Sequence, residues 1–121
     1  MNSKQRTAIA GIIMALANHI SIKSVYSYEL AAYVSVSGTA ETEKVNVYDY
    51  SRSWHISGSS NDGKKYSLYD YGTSAHISLT IDSQKATGYD YASGCHFSAT
   101  VSGRSVSIYD YKSSRYYSYS C

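Results

Sequence analysis

One short motif recurs along this chain at nearly constant spacing and constrains its fold more than any other feature. Tyr-Asp-Tyr occurs four times, with first tyrosines separated by 21, 20 and 20 residues, and Tyr26-Ser27-Tyr28 is a degenerate copy 22 residues upstream. The full copies begin at Tyr48, Tyr69, Tyr89 and Tyr109. A fixed period indicates one structural unit per repeat, and the short alternating segments around each motif indicate strands. The sequence therefore predicts an all-β protein built from five hairpin units of about 20 residues.

The alternation within the units divides the strands into two faces. One face carries tyrosine, histidine, serine and threonine, and it takes most of the 15 tyrosines of the chain. The other carries valine, leucine and isoleucine, with small residues such as Gly58 and Gly88 where another element can approach closely. Because a buried face must be the apolar one, the tyrosine-rich face is expected at the surface.

The expected hairpin register depends on the position of the loop. A four-residue loop at 51–54 pairs Tyr50 with His55 and places Asp49 opposite Ile56 on the core face. The same register transfers to the other units, and each aspartate is expected to accept hydrogen bonds from its turn backbone. Between units, the expected pairs include Ile81 with Ala86 and Val101 with Val106.

An apolar segment precedes the repeats. In a single domain, residues 1–22 are expected to form a helix that begins near Ser3, and residues 23–121 the five repeats. The run from Ala8 to Ile20 has 13 residues, fewer than the ~20 of a membrane-spanning helix, so no transmembrane segment is expected. The apolar face of a sheet needs a cover, and this helix is the only other apolar element. The sequence thus favours a ten-stranded antiparallel meander, closed as a barrel around the helix or left as an open sheet with the helix laid across it.

A β-solenoid with one two-strand coil per unit is the alternative architecture. In having five strand-turn-strand repeats of this length the chain resembles curli-type functional amyloid subunits, although the Gln/Asn ladder of those proteins is absent. That resemblance implies stacked parallel coils, which would place Asp49, Asp70 and their equivalents on adjacent strands at ~4.8 Å. Because the meander inserts Ile56 and its equivalents between the aspartates, like-charge repulsion favours the meander.

The first residues also imitate a secretory signal peptide. Lys4 and Arg6 precede a short apolar stretch that ends near Ala17. A retained helix is favoured because the stretch is short and its cleavage-like triplet lies inside it. The location is otherwise unknown from the sequence: cytoplasmic is favoured, and secretion follows if residues 1–17 are removed.

No group of residues predicts catalysis, a metal site or a cofactor. His55 and Ser57 share a face but lie two residues apart on one strand, about 6.5 Å, while Asp49 points to the other face. His55, His76 and His96 fall on alternate strands ~9.5 Å apart, too far to share one ion. Cys95 and Cys121 are expected at opposite ends of the sheet, beyond disulfide reach.

The tyrosine-rich face is the best candidate for function. Tyrosine offers a large, rigid contact area and a hydroxyl, which makes it common in binding surfaces. Basic side chains and the single tryptophan cluster in the turns at one edge of this face. The candidate binding residues are Tyr50, Arg52, Trp54, His55, Tyr71, His76, Tyr91, His96, Tyr111, Lys112, Arg115 and Tyr116.

These features predict a non-enzymatic binding protein that engages, and so can block, another protein. A glycan is the next partner, and a net charge of only +2 makes nucleic acid the weaker choice. A secreted, self-assembling structural protein is the hypothesis from a different class. The oligomeric state is not determined by the sequence.

Overall fold

The computed structural model describes residues 1–21, 23–40 and 43–120 and, within them, every side chain except that of Thr39. One helix, α1 (Ser3–Asn18), precedes ten strands. The strands are β1 (Ser24–Ser27), β2 (Ala32–Ala40), β3 (Lys44–Asp49), β4 (Trp54–Ser60), β5 (Lys65–Asp70), β6 (Ala75–Asp82), β7 (Lys85–Asp90), β8 (Cys95–Ser102), β9 (Ser105–Asp110) and β10 (Arg115–Ser120). Each strand pairs antiparallel with its sequence neighbour, and β1 also pairs with β10. The predicted closed meander barrel is confirmed, and the solenoid and the open sheet are excluded.

The helix α1 fills the inside of the barrel. Every residue from Gln5 to Leu16 is buried, which covers all sides of the helix rather than one stripe. It contacts strands around the whole circumference, namely β1, β2, β3, β6, β8 and β9. Asn2 caps its first turn by accepting a hydrogen bond from the Gln5 amide at 2.7 Å, so the cap lies one residue before the predicted Ser3. His19 ends the helix in the left-handed conformation, with φ of 54°.

Strand alternation builds the core around this helix. In β3, Val45, Val47 and Asp49 point inward and are buried, whereas Lys44 and Asn46 are exposed. The same alternation in β5 to β9 brings Leu68, Leu79, Phe97 and their neighbours against the helix, each contributing about 1.5–3 kcal/mol by burial. Gly88 lies opposite Phe97, and a β-carbon there would overlap the phenyl ring and the carbonyl of Ser78. A neighbouring side chain and backbone thus approach Gly88 closely, as the small residues on the core face predict.

The register of the five motif hairpins differs from the prediction by two residues. His55 pairs with Tyr48, not with Tyr50, and the last pair of that hairpin is Asp49 with Trp54. The loop is therefore 50–53, one residue earlier than expected, and its last residue, Ser53, has a φ of 58°. The prediction failed because the aspartate carboxylate bonds to the turn backbone and so starts the turn directly after Asp49.

A shift of two residues leaves every side chain on its predicted face, because strands have a period of two. The expected pairs between units are confirmed: Ile81 with Ala86 and Val101 with Val106.

No helix within the described residues is long and apolar enough to cross a membrane. The predicted separation of Cys95 from Cys121 cannot be compared with the structure, since Cys121 lies outside the described residues.

Candidate binding surface

Each of the five units holds three aromatic rings in the same arrangement on the outside of the barrel. A central tyrosine contacts the second tyrosine of its motif and the ring across the hairpin, with centroids 4.7–5.0 Å apart and edge-to-face geometry. In the second unit, for example, Tyr48 contacts Tyr50 and His55, both at 4.7 Å. Such contacts contribute about 0.5–1.5 kcal/mol each beyond burial. They hold the outer rings in fixed positions without burying them.

The outer rings and the basic turn residues form an exposed border at one end of the barrel. We call this border the turn rim and define it by Tyr50, Trp54, Tyr71, Tyr91, Tyr111, Lys112, Arg115 and Tyr116. Its aromatic members are exposed from 50% at Trp54 and Tyr71 to 74% at Tyr116. The structure thus brings most of the predicted binding residues to one end, with exposed His55, His76 and His96 behind it on the sheet.

Arg52 occupies a different environment from the other predicted binding residues. Its side chain is only 10% exposed and lies beneath the turns. Its Nε donates to Asp49 Oδ2 at 2.6 Å and its Nη1 to Asp70 Oδ2 at 2.9 Å. Burial lowers the pKa of Arg52, but the hydrogen bonds that it donates to both carboxylates outweigh burial and raise the pKa above its ordinary value. The position of Arg52 indicates a structural role rather than surface contact.

The motif aspartates lie inside the same end of the barrel and are almost completely buried. Each accepts a hydrogen bond on Oδ1 from the backbone amide two residues later, as the sequence predicts. The four distances are 3.1 Å for Asp49, 2.8 Å for Asp70, 3.2 Å for Asp90 and 3.0 Å for Asp110. Because these carboxylates face inward while the histidines face outward, they do not form a catalytic triad with the histidines of the described sheet.

Arg6 forms an ion pair with the last motif aspartate, Asp110, from inside the barrel. Its Nη1 donates to Asp110 at 2.8 Å, its Nη2 to Glu29 at 3.0 Å and its Nε to the Tyr119 hydroxyl at 3.1 Å. The terminal amine of Met1 lies 3.2 Å from Asp110. Burial raises the pKa of Tyr119 to about 12, although Arg6 opposes this rise.

Sequence reasoning missed this cluster. It read Arg6 only as the basic start of a signal-peptide-like segment. The available signal was an arginine next to the apolar stretch of a helix, together with aspartates at the inward position of several units. A buried cation must find such partners.

An open cleft of about 650 Å³ lies inside the turn rim, beside the Arg6 cluster. It is lined by Met1, Asn2, Ser3, Gln5, Arg6, Glu29, Thr73, Asp90, Ala92, Ser93, Asp110, Lys112, Ser113 and Tyr117. Within residues 1–21, 23–40 and 43–120, no group of three or more histidine, cysteine, aspartate or glutamate residues is placed to hold a metal ion.

The fold and the surface together define an all-β, tyrosine-rich meander barrel with a helix inside it. No protein-family model matches the sequence, and comparisons with curated proteins and with solved structures give no match either.

Proposed function

We propose that this chain is a non-enzymatic binding protein that engages another protein through the turn rim and can block the surface that it covers. The observation that carries the proposal is a set of tyrosine rings at one end of a closed barrel, each at least half exposed and each packed edge-to-face against a central tyrosine of its unit. Aromatic side chains with an accompanying arginine are typical of residues that dominate the energy of protein interfaces.

Rigidity supports the proposal. Side chains that are ordered before binding lose little conformational entropy on association, a cost of about 0.5–1.5 kcal/mol for each flexible side chain. Tyr71 and Tyr91 are fixed by Tyr69 and Tyr89 at 4.8 Å, so their exposed surfaces are available without reordering. The rim thereby resembles a preorganised paratope in its physical properties.

The shape and charge of the barrel end also support a protein partner. The rim surrounds the open cleft, which admits a side chain or a loop of a partner. Exposed Lys112 and Arg115 favour a partner with acidic residues near its contact surface. Strand addition at a sheet edge, the simplest route to fibres, is not favoured because the closed barrel pairs β1 with β10.

The test compares two triple alanine variants at opposite ends of the barrel. The rim variant carries Trp54→Ala, Lys112→Ala and Arg115→Ala, and leaves Arg52 intact because of its buried ion pairs. The control variant carries Lys85→Ala, Arg104→Ala and Ser105→Ala, all exposed and at the far end.

Immobilised wild-type and variant proteins are exposed to lysates, and proteins retained by the wild type are identified, purified and titrated by calorimetry. We expect a partner whose affinity falls at least tenfold for the rim variant and is unchanged for the control. If no protein binds the wild type more tightly than the rim variant, the proposal is wrong.

A further inference from the structure

Two grooves on the outer face of the barrel repeat the same kinds of side chain one unit apart. The first, of about 620 Å³, lies over β3 and β4, and the second, of about 460 Å³, lies over β5 and β6. The outward-facing lining of the first is Lys44, Asn46, His55, Ser57, Ser59 and Tyr71. That of the second is Ser67, His76, Ser78 and Tyr91. In each groove, a histidine and an exposed tyrosine stand at the turn side of a small polar floor.

The floors offer hydrogen-bonding groups that the protein does not use. Asn46 pairs across the sheet with Ser57, and Ser67 pairs with Ser78. Among the described residues, the side chains of these four make no hydrogen bond to another protein group. A serine hydroxyl can donate one hydrogen bond and accept two, and an asparagine amide can do both. The floors are therefore suited to a ligand that is itself rich in donors and acceptors.

The charge and apolar content of the grooves select among ligand classes. Among the residues that the structure describes, no carboxylate lines either groove, and Lys44, at one end of the first groove, is the sole charged side chain in the two linings. Nucleic acid is disfavoured because phosphate contacts need cations in both grooves. A protein hot spot is disfavoured on the groove floors, because their aliphatic lining residues Val45 and Ile77 are buried beneath the sheet and leave only polar groups exposed there.

We propose that the two grooves bind pyranose rings of a neutral glycan. A pyranose has a flat C–H face that packs on an aromatic ring, and hydroxyls around its border that need hydrogen-bond partners. Tyr71 and Tyr91, 50% and 60% exposed, offer the aromatic surfaces. The histidines and the floors offer the polar partners, and both grooves are shallow and open to solvent, so a polymer can lie across them.

Repetition makes these sites suited to a polymer. Equivalent positions two strands apart are separated by about 9.5 Å, so adjacent rings of one branched or folded glycan, or two chains of a polysaccharide, reach both grooves. Two weak sites acting together bind far more tightly than one. The grooves share Tyr71 and Tyr91 with the turn rim, but none of Trp54, Lys112 and Arg115 lines them. The rim variant therefore leaves both grooves intact, and the two proposals are tested by different substitutions.

The experiment titrates the protein with soluble mannan, cello-oligosaccharides and chito-oligosaccharides, and with polyuridylate as an anionic probe. Amide NMR spectra of the wild type map the contact residues without any substitution. Ser57→Arg and Ser78→Arg then fill the first and second grooves, because an arginine stem can lie along the groove with its head in solvent. Ser105→Arg, an exposed outward-facing position beyond both grooves, is the matched control.

We expect at least one neutral glycan to shift the amides of His55, Ser57, His76 and Ser78. Each groove variant should weaken binding to the polymer by about tenfold or more, and the double variant should abolish it, with the control and the rim variant unchanged. The inference is overturned if no neutral glycan shifts these amides, or if polyuridylate binds in preference. It is also overturned if the grooves prove to be required only for a protein partner. Loss of rim-dependent protein binding alone would contradict the proposed function and leave the glycan sites standing.

Discussion

Replacing Arg52 with alanine tests whether buried charge pairing holds the motif turns in place. Arg52 is the cation that bridges Asp49 and Asp70, at 2.6 Å and 2.9 Å, and both carboxylates are fully buried. The substitution leaves two buried carboxylates without a cation, and they retain the hydrogen bonds from the turn backbone and, at Asp49, one from the Ser51 hydroxyl at 2.7 Å. Removing one partner of a buried ion pair costs about 3–5 kcal/mol. Because Arg52 lies in a turn that water reaches, we expect the lower end, about 3 kcal/mol.

The free energy of unfolding is measured by urea denaturation, followed by far-UV circular dichroism and by the fluorescence of Trp54, the single tryptophan. For a chain of this size, 3 kcal/mol corresponds to a decrease in Tm of about 10 °C. Arg115→Ala is the control, since Arg115 is exposed and a surface substitution changes stability by about 0.5 kcal/mol or less.

A double-mutant cycle separates the ion pair from general loss of packing. Asp70→Asn keeps the acceptor for the Gly72 amide, a hydrogen bond of 2.8 Å, and removes the charge. With Arg52→Ala, the cycle should give a coupling energy of about 2 kcal/mol. If Arg52→Ala costs no more than Arg115→Ala, or the coupling energy is near zero, the buried pairs do not hold the turns and the reasoning is refuted.

Three further predictions concern the turns and the core. Gly94 and Ser74 end equivalent turns with positive φ, 70° and 54°, a conformation that glycine adopts more easily than serine. Gly94→Ser should therefore lower the free energy of unfolding by about 1 kcal/mol, and Ser74→Gly should raise it by a similar or smaller amount. Unfolding free energies in urea equal to that of the wild type would contradict this prediction. Gly88→Ala should cost about 1–3 kcal/mol by overpacking against the Phe97 ring and the Ser78 carbonyl, and a Tm equal to that of the wild type would contradict this. Hydrogen bonds from two backbone amides lower the pKa of the Asp62 carboxyl from 3.8 to about 2. The stability that this carboxylate contributes above pH ~4 should therefore be lost as the pH falls towards 2, and Asp62→Asn should reduce that loss. A carboxyl ¹³C titration of Asp62 with a midpoint near 4 would refute this prediction.

Much of the fold could be predicted because its main signals are local. The alternation of side chains fixes which residues face the core, and it assigned Val47, Leu68 and Ile108 correctly. The same alternation placed Tyr71 and Tyr91 at the surface, where they line the turn rim. These conclusions hold even where the register was wrong, since an error of two residues keeps every side chain on its face.

The exact turns could not be predicted, because several loop positions are compatible with the same alternation. The carboxylate of Asp49 decides between them by accepting the hydrogen bond from Ser51 at 3.1 Å. Serine at position 53 then adopts a positive φ that sequence preference assigns to glycine or asparagine. Tertiary context outweighs the local preference at this position.

The sequence by itself thus determined the number of strands, their two faces and the presence of a helix that must cover the apolar face. Only the tertiary structure decided that β1 meets β10 and that the helix lies inside with Arg6 against Asp110. Closure depends on the twist and stagger accumulated over ten strands, and the ion pair joins residues 104 positions apart. A repeat of about 20 residues specifies neither the closure of the barrel nor this ion pair, whereas it does specify which face of each strand is apolar.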